Sequence, residues 1–288
     1  GTYATLNMLV NIGNNRYRLI DFWTGTYRAA TGSGALNTLP ISVAPYAVKF
    51  EKRLPVKIMF LALFFATIQY MFMLGTRTQF AILLLIVILA ALQFAYSEQG
   101  IAGVLKCIGI MAVISLIAFL LYHFNVLSIR DYILSTNLAA RYERRASLEN
   151  ADSFRFQSFW IGLRELIQYP MGGRASQIYR HNMWLDVGRV SGIIPFCLLL
   201  VYSIKNFANV TAIWKNTKIL PSLRYLLLFL YIGAYVNCFV EPIWEGALNF
   251  FLALCVVDGM VSAMMRRLKN DPIPEESVSD TSNLHTDL

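Results

Sequence analysis

The residues of this chain that could do chemistry in water are concentrated between positions 123 and 184. This stretch contains eight arginines, five acids and no lysine, and His181 lies near its end. Arg presents a planar fork of donors that binds phosphate at two points, whereas Lys is a more strongly hydrated point charge. A histidine titrates near physiological pH and can accept a proton from a hydroxyl group. These residue types indicate a site where arginines hold a phosphate and a histidine acts as a base.

A plainer interpretation of the same arginines stays open. Arg can simply be tolerated outside a membrane while Lys is retained inside by topology. In that case Arg141, Arg144 and Arg145 pair with Glu143 and Glu149 or remain solvated.

A helix is predicted inside this stretch, where apolar residues recur at helical spacing. They follow Asp152 and Ser153, a plausible N-cap, and precede Pro170, which stops a helix: Phe156, Phe159, Trp160, Leu163 and Ile167. The pattern predicts an amphipathic helix that lies on a membrane. Its other face begins with Arg155 and continues with small or polar residues, so that face either leaves room for a ligand or is solvated.

Two further features follow this helix. The turn Tyr169–Arg174 contains Pro170, Gly172 and Gly173, and can present amides to an anion or serve as a connector. After the turn, Asn182, Asp186 and Arg189 share one helix face, so we expect Asp186 to pair with Arg189. No His or Cys has a second ligand at the spacing that zinc needs, so we expect no metal and no cofactor.

The elements that position these residues are predicted to lie in a membrane. The 288 residues are 57% hydrophobic and only 15% charged, against about 25% charged in soluble domains. The net charge of +8 does not indicate a nucleic-acid partner, because the cations lie between apolar runs and not on one surface. The four cysteines fall inside apolar runs and are interpreted as packing residues.

Runs of about 20 apolar residues can cross a bilayer as helices. Seven segments meet or approach that length, the last of them weakly because it contains Asn37, Pro40 and Pro45. They are residues 55–74, 78–96, 101–122, 187–204, 222–240, 247–265 and 35–50. The fold class is therefore an all-α polytopic integral membrane protein with about six to seven transmembrane helices.

The orientation follows from the eight lysines, which all fall on one predicted side and so indicate the cytoplasm. Residues 123–184 then form a long periplasmic loop. The tail 270–288 is rich in Pro, Ser and acids and is predicted to be a disordered cytoplasmic end. Residues 1–265 are expected to form one transmembrane domain. Because residues 1–10 look like the end of a longer apolar segment, we expect further N-terminal spans.

Four short sequence elements occur in order along the chain: GTRT at 75–78, RFQSFW at 155–160, YPMGG at 169–173 and HNMWLDVGRVSGII at 181–194. Together they resemble the bacterial O-antigen ligase and Wzy-type O-antigen polymerase superfamily. Each element is degenerate alone, but the ordered set with a long external loop before His181 is fairly specific. Thr76 replaces the more frequent Ser, and Gly173-Arg174 varies the usual Gly-x-Gly.

The resemblance implies an inverting, metal-independent glycosyltransferase that uses a glycan on undecaprenyl diphosphate at the periplasmic face of the inner membrane. It implies that Arg77 and Arg155 hold the diphosphate and that His181 activates the acceptor hydroxyl. Supporting roles are expected for a further set: Arg174, Arg180, Asn182, Asp186, Arg189, Glu241 and Glu245. Expected partners are the lipid-linked glycan, membrane lipid and a chain-length regulator or other polysaccharide-assembly proteins.

Three functions compete. A polymerase joins lipid-linked repeat units, and the HNMWLDVGR sequence at 181–189 favours it. A ligase transfers the finished glycan to lipid A-core. A flippase or transporter of the same glycan would carry ionisable residues near the bilayer midplane, where the predicted spans have almost none.

Overall fold

The computed structural model describes residues 2–12, 14, 19–27, 30–146 and 151–270, without the side chains of 4, 31, 141, 142, 144–146 and 151–155. Within this part every element is a helix, apart from an isolated bridge between Ile20 and Tyr27. The α-helices are α1 Thr2–Val10, α2 Ala30–Phe50, α3 Leu54–Leu74, α4 Arg77–His123, α5 Ile129–Ser135, α6 Asn137–Ala146, α7 Ala151–Gln168, α8 Met183–Ser191, α9 Ile193–Lys215, α10 Pro221–Val240, α11 Ile243–Gly246 and α12 Leu248–Asn270. Apart from Asn270, the predicted disordered tail lies outside the described residues.

Five of the described helices are long and apolar enough to cross a membrane: α3, α4, α9, α10 and α12. This is consistent with the predicted all-α membrane protein. One of the five, α4, has 47 residues and covers both predicted spans 78–96 and 101–122. The five helices thus contain six of the seven predicted segments, wholly or in part.

The long helix α4 bends at Gly100, whose backbone has φ 60° and ψ −143°. A Cβ at Gly103 would lie 2.3 Å from the carbonyl oxygen of Ala95, so the chain folds back closely at this point. Before the bend, Ile82 and Ile86 are buried against neighbouring helices. After it, each residue from 104 to 123 is at least partly exposed, which leaves an apolar surface suited to lipid.

The segment that looked weakest as a span, 35–50, lies within α2 at the centre of the bundle. Helix α2 packs against α3, α4 and α10. Its polar residues Asn37, Thr38 and Ser42 are buried, and the Ser42 hydroxyl donates to the Thr38 carbonyl at 2.8 Å. A Cβ at Gly233 would lie 2.0 Å from Ser42 Oγ. Small residues permit this close approach of α2 and α10, so α2 faces protein and needs little apolar surface.

The predicted span 187–204 is corrected by the structure, because a break at Gly192 separates α8 from α9. Gly192 has φ 94°, and its amide donates to the Gly188 carbonyl at 2.8 Å. The next amide, of Ile193, donates to the Pro170 carbonyl at 2.8 Å and so anchors the turn that contains Pro170. The membrane-length helix here is Ile193–Lys215. Helix α8 is buried from Met183 to Arg189, so it lies in the protein interior and is not part of the membrane-length helix that follows it.

Ionisable residues do lie at the middle of long apolar helices, Lys205 in α9 and Asp258 in α12. Asp258 is 2% exposed in α12, and the hydroxyl of Tyr231 in α10 donates to its carboxylate. The hydropathy of the predicted span does not reveal Asp258, because a single acid hardly changes the mean value of the run.

Candidate functional site

A cavity of about 390 Å³ lies where α7, the start of α8 and the end of α10 meet. Its wall is mostly aromatic and apolar, with three polar residues side by side. The lining residues are Phe156, Phe159, Trp160, Arg180, His181, Asn182, Phe239 and Val240. A small-molecule site commonly has a volume of about 300 to 1,000 Å³ and an apolar wall with few polar groups. The cavity therefore has the size and lining of a ligand site.

His181 is held at this cavity in a backbone conformation that few side chains adopt. Its φ is 56°, in the left-handed region, and its ring packs edge-on against Tyr179 with centroids 4.7 Å apart. Such a conformation costs about 1 to 3 kcal/mol and persists only where its surroundings impose it. The Arg180 amide before it donates to Asp186 at 2.6 Å, and Asn182 after it caps α8. These two anchors fix the position of the histidine.

Asn182 joins two helix ends beside the cavity. Its side-chain oxygen accepts from the Leu185 amide at 3.1 Å, which caps the N-terminus of α8. Its side-chain nitrogen donates to the Phe239 carbonyl at 3.2 Å. One buried side chain thus joins the start of α8 to the end of α10, the two elements on either side of the cavity.

The predicted pair of Asp186 and Arg189 is confirmed, with 3.7 Å between Arg189 Nε and Asp186 Oδ1. The Arg189 side chain is 1% exposed and also pairs with Glu245. Its Nη1 donates to the carbonyls of Arg174 and Gln177, each at 2.6 Å. Burial raises the pKa of Asp186 above its ordinary value, although Arg189 and the Arg180 amide oppose this shift. Burial also lowers the pKa of Arg189.

Glu165 of α7 forms ion pairs with two arginines that were candidates for ligand binding. Arg180 Nη2 lies 2.7 Å and Arg174 Nη2 3.1 Å from its carboxylate oxygens. Arg174 also lies over the Tyr169 ring, 4.2 Å from the centroid. In the described structure these two arginines therefore connect α7 to the following loop. Sequence reasoning missed the role of Glu165, although it is the one acid between Asp152 and Asp186.

The small-residue face of α7 is occupied by protein. Ser158 and Gly162 are buried, and a Cβ at Gly162 would lie 3.0 Å from Leu185 Cδ1. Farther along the face, Leu166 Cδ1 lies 2.6 Å from where a Cβ at Gly188 would be. Neither alternative for this face, room for a ligand or exposure to solvent, holds at Ser158 and Gly162, because α7 packs on α8 through these residues. The room is on the aromatic side of α7.

The turn after α7 serves as a connector. The amide of Gly173 donates to the Val190 carbonyl at 2.9 Å, and that of Arg174 to the Arg189 carbonyl at 3.1 Å. These amides close the helix break at Gly192 and are not directed at an anion. The glycines are needed because Gly172 and Gly173 have φ of 74° and 78°.

The Arg77 turn lies beside Glu241, which follows the cavity residue Val240. Gly75 ends α3 with φ 63°, and half-buried Arg77 is the first residue of α4. The hydroxyl of the next residue, Thr78, donates to the Glu241 carboxylate. The fold therefore brings the 75–78 element to the end of α10, although 163 positions separate Thr78 from Glu241.

Arg155 lies in α7 directly before Phe156, a cavity residue. Its side chain is outside the part of the chain that the structure describes, as are those of Arg141, Arg144 and Arg145. Among the described residues, no group of three or more His, Cys, Asp and Glu side chains is placed to hold a metal ion.

No family model matches the chain, and no curated protein matches it significantly.

Proposed function

We propose that the protein is an inner-membrane glycosyltransferase that polymerises undecaprenyl-diphosphate-linked oligosaccharide repeat units at the periplasmic face. The observation that carries the proposal is the cavity at the helix ends, with His181 fixed in its wall by Arg180 and Asn182. A base, an apolar aromatic wall and a lipid-facing bundle suit a substrate with a sugar at one end and a polyprenyl chain at the other.

In the proposed reaction His181 is the general base. The acceptor hydroxyl oxygen forms a bond to the anomeric carbon of the donor while the bond from that carbon to the diphosphate oxygen breaks. The hydroxyl proton passes to the neutral imidazole, and the electron pair of the broken bond leaves with undecaprenyl diphosphate. Arg77 and Arg155 stabilise the charge on this leaving group by charge-assisted hydrogen bonds.

The position of the two arginines relative to the cavity supports these roles. Arg155 directly precedes Phe156 on α7, and Arg77 lies next to Thr78, which is bonded to Glu241 at the end of α10. Arg174, Arg180 and Arg189 are paired with acids, so we assign them to positioning the site. Their supporting role is to hold the loop that carries His181.

The test is glycan transfer by purified, reconstituted His181→Gln protein given a lipid-linked donor. Glutamine keeps hydrogen bonding but is not basic, so the rate should fall about 10² to 10⁴-fold. Donor binding and the amount of folded protein should stay the same. His123→Gln is the matched control, because His123 is exposed at the end of α4 and outside the cavity. Transfer by His181→Gln at the wild-type rate would contradict the base role and direct attention to Glu241 or Glu245.

The same assay separates polymerase from ligase. A polymerase given only lipid-linked repeat units should produce a ladder of longer lipid-linked glycans. A ligase should produce nothing until lipid A-core is added. No contact in the described residues favours the ligase, and the preference for polymerase rests on the HNMWLDVGR sequence.

The orientation is part of the proposal and has its own test. Cysteines are introduced at Met171, which is 86% exposed, and at exposed Thr217, in a variant without native cysteines. An impermeant thiol reagent added to cells with a permeabilised outer membrane should label position 171 and leave 217 unlabelled. The opposite result would place the 123–184 loop in the cytoplasm and end the proposal of a periplasmic site.

Transport of the lipid-linked glycan is the second candidate, and Asp258 is the observation that favours it. An acid buried at the middle of a membrane helix is costly and commonly serves transport. In a transporter, Asp258→Asn should abolish movement of the glycan across a vesicle membrane while His181→Gln has no effect. If the protein is a glycosyltransferase, glycan transfer should instead be lost in His181→Gln and retained in Asp258→Asn.

A further inference from the structure

A second cavity, of about 690 Å³, lies between the C-terminal halves of α9 and α12. On α9 its lining extends from Lys205, in the middle of the helix, to Asn216 at the C-cap. The lining residues are Lys205, Asn209, Ala212, Asn216, Ser262, Met265, Arg266, Leu268 and Lys269. Nothing in the proposed function uses this cavity.

The charge of this lining has one sign. Lys205 of α9 and Arg266 and Lys269 of α12 supply three cations, and no acid is among the lining residues in the described part of the chain. The described structure shows no ion pair for any of the three. Like charges around one cavity repel each other, and an anion bound between them offsets this repulsion. The cavity therefore has the electrostatics of an anion site.

The other lining residues divide into hydrogen-bonding and apolar groups. Asn209, Asn216 and Ser262 can donate to phosphate oxygens, as the cations can. Met265 and Leu268 provide an apolar wall beside them. An inorganic anion would use only the polar groups, whereas a phospholipid would use both.

The cavity also lies where a lipid head group would be. Its lining reaches the C-terminal ends of two membrane-length helices, at Asn216 and Lys269. The same two helices carry exposed apolar residues along which an acyl chain could lie, because Ile204 of α9 is 60% and Val256 of α12 66% exposed.

We infer that this cavity binds the phosphodiester head group of an anionic phospholipid, such as phosphatidylglycerol. Lys205, Arg266 and Lys269 neutralise the phosphate, the amides and Ser262 donate to its oxygens, and the acyl chains lie against α9 and α12. A zwitterionic head group would bring its own cation towards the three cations of the site. Selectivity for net negative lipid follows from this arrangement.

The test compares lipid binding by the full chain in neutral detergent. Native mass spectrometry and the thermal unfolding midpoint are measured with phosphatidylglycerol, phosphatidylcholine or inorganic phosphate. Phosphatidylglycerol alone should give a stable adduct and a raised midpoint. Each surface cation typically adds about 1 kcal/mol of attraction for anionic lipid, or about fivefold in affinity. The variant Lys205→Gln/Arg266→Gln/Lys269→Gln should therefore bind phosphatidylglycerol about 100-fold less tightly, with unchanged binding of phosphatidylcholine.

The matched control is Lys52→Gln/Lys215→Gln/Arg267→Gln, which removes three exposed cations outside the cavity. It has the same net charge as the test variant, so it should keep phosphatidylglycerol binding if the site is local. Equal loss in both variants would show attraction by net charge alone and overturn the proposal. Equal stabilisation of the wild type by inorganic phosphate and by phosphatidylglycerol would also overturn it, because the acyl wall would then have no role.

The acidic tail of the same chain is the competing occupant, since it follows Lys269 closely and contains Asp271, Glu275 and Glu276. Neutralising these three acids as amides should leave the phosphatidylglycerol adduct in place. If lipid has no effect on the wild type and the neutralised tail lowers its unfolding midpoint, the cavity belongs to the tail and the lipid proposal is wrong.

Discussion

The two ends of the helix bundle carry cations of the same sign in opposite environments. At the end near α8, Arg189 is 1% exposed, pairs with Asp186 and Glu245, and donates to loop carbonyls. Towards the other end, Lys205 and Arg266 are exposed around a cavity whose described lining contains no acid. A count of charges along the chain does not distinguish these environments.

The difference shows that a cluster of arginines is not by itself a binding site. Arg174 and Arg180 pair with Glu165, and Arg189 pairs with Asp186 and Glu245, so each of the three arginines has an acid within the protein. For Lys205, Arg266 and Lys269 the described structure shows no ion pair. We therefore expect substitutions at the α8 end to damage the fold and substitutions at the other end to damage lipid binding.

The largest expected effect is that of Arg189→Ala on stability. Removing one partner of a buried ion pair leaves Asp186 without its cation and typically costs about 3 to 5 kcal/mol. Denaturant unfolding in mixed micelles measures the change. The control is Arg266→Ala, which should change the unfolding free energy by less than about 1 kcal/mol in neutral detergent. Similar values for the two variants would remove the distinction between the two ends.

The next prediction concerns donor use and the two arginines, Arg77 and Arg155, that we propose bind the diphosphate at the same end of the bundle as Arg189. Hydrogen bonds to charged groups contribute about 1.5 to 3 kcal/mol, so Arg77→Ala or Arg155→Ala should reduce donor use about ten- to a hundred-fold. Lysine at either position should restore activity only partly, because it lacks the planar fork. Arg164→Lys, on exposed α7 surface, is the control. Full activity of Arg155→Lys in the transfer assay would contradict the proposed diphosphate contact.

The helix break offers a pair of glycines that separates packing from backbone strain. A Cβ at Gly192 would lie 2.4 Å from the Pro170 carbonyl oxygen, whereas Gly173 has nothing within 4 Å of that position. Both have positive φ, so Gly173→Ala should cost about 1 kcal/mol and Gly192→Ala about 2 to 3 kcal/mol. Thermal unfolding of the two variants measures the difference. A larger loss of stability in Gly173→Ala than in Gly192→Ala would mean that the turn containing Pro170 does not pack against the helix break at Gly192.

The smallest effect is expected for the ion pair between Lys49 of α2 and Glu98 of α4, at the bundle end away from α8. Their side chains are 41% and 56% exposed, and such pairs contribute about 0 to 1 kcal/mol. Lys49→Gln should therefore leave the unfolding free energy nearly unchanged, with any loss disappearing in high salt. A loss as large as that of Arg189→Ala would show that exposure does not rank the ion pairs of this protein.

Much of the helical framework could be predicted from the sequence. The helices α3, α10 and α12 match the predicted spans 55–74, 222–240 and 247–265 closely, because each is a continuous apolar run. Helix α7 was also predicted from its spacing and from Pro170. The Asp186–Arg189 pair was predicted for the same reason, since residues three apart on a helix lie on one face.

The remaining parts of the site depended on residues far apart in the chain. Glu165 takes up Arg174 and Arg180, and Thr78 meets Glu241, but nothing local to these residues indicates their partners. The cavity also appeared on the aromatic face of α7, because Gly162 lets the opposite face pack against Leu185. Spacing identified the two faces of α7 correctly and could not say which one meets protein.

The sequence by itself determined which segments are helical and apolar, because helix formation and transfer from water depend on neighbouring residues and on the length of each run. Only the tertiary structure decided that the weakly apolar α2 lies at the centre, with Ser42 against Gly233, and that the arginines near α8 pair with acids while Lys205, Arg266 and Lys269 have no ion pair in the described structure. The physical reason is that burial and charge pairing are set by the contacts of helices distant in sequence. A side chain's polarity does not specify which of those contacts it makes.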